Sequence, residues 1–230
     1  MAPPWILRSS YKDIITLPHP RLARHPPAER LRTLGPVRAT PTVAALLLTG
    51  GASSRLGRPK AALEVAGTTL ARRLAGVLSE VCPLVLEVGP GYSDLARVAE
   101  EPPGEGPLGA LAAGWGELRA RGHDGPALAV ACDLPHLSVA LVRLLAEWPA
   151  PGSVVPVVAG RAQPLLARWS PSALGATPQM VASGERSLRG LLALSEVTTI
   201  DEADWSAVAT AREFADVDTP ADAARLGLAL

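Results

Sequence analysis

Beyond residue 42 the chain repeats one pattern. A short run of uninterrupted apolar residues is followed by a turn rich in glycine or proline, then by a stretch with apolar residues at helical spacing. Residues 43–48 read VAALLL and lead into Gly50 and Gly51; residues 127–132 read ALAVAC and lead into Asp133. A strand that is apolar at every position, rather than at every second one, has both faces covered. Alternation of such strands with helices predicts an α/β fold: a three-layer α/β/α, Rossmann-like architecture with a mainly parallel sheet. Further strands are expected at 84–88, 153–158, 163–169, 197–200 and 213–217, with 163–169 pairing to 153–158 across a turn at Gly160. Helices are expected at 68–78, 108–121, 138–148 (Ser138 as N-cap), 174–181, 188–194 and 220–228, the last with Thr219 ahead of Pro220. Ligands in such sheets bind beyond the carboxyl ends of the strands, so functional residues are sought there.

Residues 1–41 do not share the pattern. They hold eight of the 23 prolines, and residues 1–40 hold seven basic and two acidic residues. Proline at that density removes donors and restricts its neighbours. The expectation is a disordered, basic, proline-rich leader over 1–41, followed by one folded domain over 42–230. The leader lacks the apolar core of a secretory signal.

Composition removes several function classes. Formal net charge is zero, which argues against a nucleic-acid partner, since phosphates need a basic face. The longest uninterrupted apolar runs have six residues, far short of the roughly 20 that cross a bilayer, so no membrane span is expected. Two cysteines, Cys82 and Cys132, suit a reducing cytoplasm, and with four histidines they lack zinc-site spacing.

The loop after the first apolar run, LTGGASSRLGRPK over 48–60, carries the strongest chemical signal. Glycines and serines leave backbone N–H groups open to an anion, and Arg55, Arg58 and Lys60 bring positive charge to the same loop. Lys60 is one of only two lysines in the chain. The loop is not a P-loop, because Gly57 precedes Arg58 instead of Lys-Ser/Thr. After the run at 127–132, Asp133 stands at the mouth of the sheet. A hard divalent cation such as Mg2+ takes oxygen ligands, commonly one or two carboxylates plus substrate phosphates, so Asp133 is the expected metal ligand. Cys132 reads as a small buried apolar residue and His136 as a surface or capping one.

On these two loops the chain resembles the molybdenum cofactor guanylyltransferases, within the nucleotidyltransferases of the nucleotide-diphospho-sugar transferase type. Their opening motif, Leu-x-Gly-Gly-x-Ser-x-Arg-Met-Gly-x-Asp-Lys, appears here with Leu56 for Met and Pro59 for Asp. The order continues with Glu101 (usually Asp) before Pro102, Pro103, Gly104 and the Gly106-Pro107-Leu108 helix start. It runs on through Cys132-Asp133-Leu134-Pro135 and Gln163-Pro164-Leu165. An Asn-x-Asn-Thr-Pro element appears as Asp216-Val217-Asp218-Thr219-Pro220; the two aspartates are read as capping the last helix rather than recruiting metal.

The resemblance implies transfer of GMP from GTP to the phosphate of molybdopterin, with pyrophosphate released in a Mg2+-dependent reaction. It assigns catalytic roles to Arg55, Lys60 and Asp133, nucleotide contacts to Leu48, Thr49, Gly50, Gly51, Lys60, Glu101 and Asp133, and the metal to Asp133. Arg186 and Arg189 are candidate contacts to the acceptor phosphate. Molybdoenzymes and cofactor-assembly proteins are candidate partners. Two other readings stay open at this level: a cytidylyltransferase of the same superfamily, and a nucleotide-binding module that has lost catalysis.

Overall fold

The computed structural model describes residues 42–51, 56–65 and 67–228. The expected leader, 1–41, lies outside the described residues, as does Arg55. Strands are β1 (Ala44–Leu48), β2 (Glu64–Val65), β3 (Thr68–Thr69), β4 (Val85–Val88), β5 (Ala96–Val98), β6 (Ala127–Ala131), β7 (Ser153–Val158), β8 (Arg161–Ala162), β9 (Leu166–Trp169) and β10 (Val197–Ile200). Helices are α1 (Leu70–Ser79), α2 (Gly106–Ala120), α3 (Val139–Glu147), α4 (Pro171–Ala182), α5 (Leu188–Leu194), α6 (Glu202–Trp205) and α7 (Pro220–Leu226).

The main sheet runs β10-β7-β9-β6-β1-β4-β5, with β8 paired to β7. All its pairings are parallel except those of β9 to β6 and β7 and of β8 to β7. The uninterrupted apolar runs form its centre. In β1, Ala45 and Leu47 enter the core under α1 and α3, while Ala44, Leu46 and Leu48 enter the core under α2, α4 and α5. In β6, Leu128 and Val130 face the first core, Ala127 and Ala129 the second. This is the two-sided burial that apolarity at every position requires.

Helix starts follow local chemistry. Thr69, Ser138, Ser170 and Thr219 each accept a backbone N–H from the first turn of α1, α3, α4 and α7. α4 begins earlier than its apolar spacing suggested because Pro171 occupies a first-turn position, where no donor is needed. Pro178 inside α4 leaves the Leu174 carbonyl without its helical donor, and the Thr177 hydroxyl supplies one at 2.7 Å.

One expected strand is corrected. Residues 213–217 do not form a strand: Ala211–Phe214 is a 3-10 turn, and the chain then crosses to the end of β6, where Val217 N–H donates to the Asp133 carbonyl at 3.0 Å. The expected pairing of 163–169 with 153–158 is present as β9 antiparallel to β7, although the turn at Gly160 itself joins β7 to the short β8, and β9 inserts between β7 and β6. The short β5 and α6 had no apolar run long enough to announce them. No helix among the described residues is long and apolar enough to cross a membrane.

Arg168, in β9, is 5% exposed, and its guanidinium donates to the carbonyls of Ala146, Trp148 and Ala150 at 2.8–3.0 Å. It satisfies the carboxyl end of α3 and the turn that follows. Arg168→Met is expected to cost about 3 kcal/mol or more, since several carbonyls lose their donor at once. Urea unfolding of the two proteins measures it; an unchanged midpoint would contradict this role.

Candidate active site

Four segments meet at the carboxyl edge of the central strands. β1 runs out into Thr49, Gly50 and Gly51. The Leu48 carbonyl and Thr49 N–H are held in the sheet, by Cys132 N–H at 3.1 Å and by the Val88 carbonyl at 2.9 Å. Of the four loop residues expected to meet a nucleotide, Leu48 and Thr49 are buried, Gly50 is half-buried and Gly51 is exposed. The backbone that reaches the surface therefore begins at Gly50.

After Arg58, which is exposed, Pro59 leads into a single 3-10 turn, Lys60–Ala62. Ala61 and Leu63 are anchored in the core, and the Lys60 side chain crosses to the end of β6. Its Nζ donates to Asp133 Oδ2 at 2.8 Å and also to Asp218 Oδ1. The three side chains are 10–18% exposed. Burial alone would depress the lysine pKa, but the Asp133 and Asp218 carboxylates outweigh it and hold the ammonium above its ordinary value. Pro59 in place of the usual Asp thus does not divert Lys60 from the sheet edge.

Asp133 is positioned from two sides. Arg73 of α1 donates to the carbonyls of Pro135 and Leu137, and Val217 N–H holds the Asp133 carbonyl. That last bond brings the two flanking aspartates with it. Carboxylate oxygens of Asp133, Asp216 and Asp218 lie within 4.8 Å of one another. All the donors are hard oxygens, so the set fits a divalent cation of the Mg2+ or Mn2+ type. The sequence reading had Asp133 alone and gave Asp216 and Asp218 to the last helix. The capping box of α7 is instead built by Thr219 and Asp222, and Asp218 turns its carboxylate to Lys60. The pattern Asp-x-Asp was a signal for two side chains on one face of an extended segment.

On the other side of β1, beyond β4 and β5, the structure brings Glu100 rather than Glu101 to the glycine loop. A Cβ added at Gly50 would lie 2.6 Å from Glu100 Oε1, whereas Glu101 is exposed. Buried Val98 ends β5, and an extended chain returns to the same side two residues on, which selects Glu100. Burial raises the pKa of its carboxyl, partly offset by the Gly104 N–H. Arg186 is engaged by Glu105 and by the carbonyls of Val181 and Glu185, and Arg189 is exposed; neither is joined to the Lys60 cluster among the hydrogen bonds and ion pairs described.

A mainly parallel sheet flanked by helices, with a lysine and carboxylates gathered at its carboxyl edge, is the architecture of the nucleotidyltransferases. Residues 45–201 match the family model described as the MobA-like NTP transferase domain. A probable molybdenum cofactor guanylyltransferase of Chloroflexus aggregans is 33% identical over 192 residues, 77% of this chain and 89% of that protein. The solved molybdopterin-guanine dinucleotide biosynthesis protein A of Archaeoglobus fulgidus superposes with a TM-score of 0.65 at 20% identity, covering 80% of this chain and 96% of that one. A Mycobacterium tuberculosis protein solved in complex with manganese superposes at a TM-score of 0.53 with 16% identity, over 80% and 97% of the two chains. The chain belongs to the MobA-like NTP transferase family and is a nucleotidyltransferase of the molybdenum cofactor guanylyltransferase-like type. Asp216 and Asp218 lie beyond the matched residues.

Proposed function

We propose that the protein transfers GMP from GTP to the phosphate of molybdopterin. An oxygen of the acceptor phosphate attacks the α-phosphorus, the bond from that phosphorus to the bridging oxygen breaks, and pyrophosphate leaves. The observation that carries this reading is the Lys60–Asp133–Asp218 cluster at the sheet edge. The names of the relatives supply the nucleotide and the acceptor.

Two anions must meet in this reaction, so repulsion is the obstacle. The Lys60 ammonium offers a point charge to phosphate oxygens, and Gly50 and Gly51 follow β1 at the carboxyl edge of the same sheet. A divalent ion held by Asp133 with Asp216 and Asp218 would neutralise charge developing on the phosphates and the leaving pyrophosphate. The nucleophile is already ionised, so no histidine base is needed; the sheet edge contributes orientation. Glu100, beside Gly50, presents acceptors suited to the N1–H and N2 amine of guanine. Cytosine offers one amine next to an acceptor, so the same carboxylate favours GTP.

Pyrophosphate release measured with molybdopterin, Mg2+ and either GTP or CTP tests the reading. GTP is expected to be preferred by about tenfold or more, the discrimination typical of a bidentate base contact. Glu100→Gln should remove most of that preference. It should also leave the melting temperature equal or higher. A carboxyl whose folded pKa is raised destabilises the protein when ionised, from the unfolded pKa upward, and the amide does not ionise. Equal turnover with CTP would overturn the guanine assignment. Tight GTP binding without turnover would overturn the enzymatic one in favour of a binding module.

A further inference from the structure

Glu87 lies in the middle of β4, opposite Leu47 of β1, and is fully buried. Its neighbours Leu86 and Val88 point into the core beneath α2, so Glu87 points to the α1 side, where Leu47 is apolar. A buried carboxylate is unfavourable unless its oxygens are satisfied. Here they are satisfied by two loops. Oε1 accepts from the Thr49 hydroxyl at 2.6 Å and from Tyr92 N–H at 2.6 Å. Oε2 accepts from Ser93 N–H at 2.8 Å and from the Ser93 hydroxyl at 2.5 Å. Burial alone would raise the carboxyl pKa, and these donors outweigh it to hold the group below its ordinary value.

The two loops that Glu87 joins flank the glycine rim. Thr49 immediately precedes Gly50, against which Glu100 lies. Tyr92 and Ser93 close the turn that leaves β4 through Gly89. At Gly89 the backbones come so near that an added Cβ would stand 2.6 Å from Thr49 Oγ1 and 2.7 Å from Gly50 N; φ is +140° there. The Gly89 carbonyl is held in turn by Arg97 Nε at 2.9 Å. In the sheet order β6-β1-β4-β5, the Lys60 and Asp133 cluster lies on the β6 side of β1, and this strut lies on the β4 side. The phosphate and nucleoside halves of the proposed site are thus held by different groups.

We propose that Glu87 is a positioning residue for the nucleoside half of the site, setting Gly50 and the turn at Gly89 at the spacing that receives base and ribose. It does not touch the nucleotide; it acts through Thr49 and through the backbone of Tyr92 and Ser93. The inference rests on the nucleotide reading above and adds to it a division of labour across β1.

Calorimetric titration of the full chain with GTP and, separately, with pyrophosphate in the presence of Mg2+ tests it, using wild type, Glu87→Gln, Thr49→Val and the double variant. Each single substitution is expected to raise the GTP Kd by about tenfold, the size of one hydrogen bond to a charged group. The double variant should be no more than about twofold worse than either single, because both break the same strut. Pyrophosphate Kd should stay within about twofold of wild type. GTP affinity unchanged in the variants, or GTP and pyrophosphate weakened in parallel, would overturn the proposal. Should Glu87→Gln fail to fold, Thr49→Val keeps the carboxylate and is decided by the same outcomes. A wild-type chain that binds pyrophosphate but no nucleoside triphosphate would overturn the nucleotide reading itself, and this inference with it.

Discussion

Asp133→Ala is expected to lower turnover by about 10³-fold or more, the scale on which loss of a transition-state electrostatic group is felt, with the fold left intact. Asp133 ends β6, and its carboxylate is one of two that hold Lys60 and one of three that stand together at the sheet edge. Without it the cluster loses an oxygen donor and the lysine loses an orienting partner. The fold should survive because the segment is held by its backbone: the Asp133 carbonyl accepts from Val217 N–H, and Arg73 holds the carbonyls of Pro135 and Leu137. None of these bonds involves the substituted side chain. Pyrophosphate release with GTP and molybdopterin, alongside thermal unfolding followed by circular dichroism, measures both halves. Activity within a few-fold of wild type would remove Asp133 from the chemistry, and an unfolded variant would show that the backbone bonds are insufficient.

Lys60→Met is expected to cost about 10²-fold or more in turnover and, unlike Asp133→Ala, to destabilise the protein. The ammonium bridges two carboxylates, with a third nearby. Removing it leaves like charges facing one another at a partly buried edge, for a loss of about 2 kcal/mol, below the range for a fully buried pair because these side chains retain some solvent. The folded pKa of Lys60 is raised, so its contribution is fully present below the unfolded value and disappears only as pH rises through the folded one. The loss should therefore be seen undiminished at neutral pH. Divalent cation should restore more melting temperature to Lys60→Met than to wild type, because the ion takes up the role of counter-charge. Thermal unfolding with a chelator and with added Mn2+ measures this. Equal stability of the two proteins in chelator would mean that the carboxylates do not depend on Lys60.

The part of the molecule legible in the chain is the part governed by short-range rules. Apolarity at every position of 43–48 and 127–132 predicted strands buried on both faces, and β1 and β6 are the centre of the sheet. Ser138 was a recognisable N-cap because a hydroxyl one residue ahead of a helix satisfies a first-turn N–H wherever it occurs. The glycine loop, Lys60 and Asp133 were visible by residue type and by position after a strand. Glu100 was not singled out in the chain, because its place beside Gly50 depends on how the segment after β5 returns to the glycine loop. Asp218 was assigned to the helix it precedes, since its partner in the fold is Lys60, 158 positions away.

The amino-acid order by itself determined the long central strands and helices, which faces they bury and which loops carry charge, since these depend on neighbours a few residues apart. Only the tertiary structure decided that β9 inserts antiparallel beside β6, that Val217 docks on Asp133 and draws Asp216 and Asp218 to Lys60, and that Glu87 ties two loops together. Each of these depends on a hydrogen bond between residues that only the closed sheet brings within 3 Å or so.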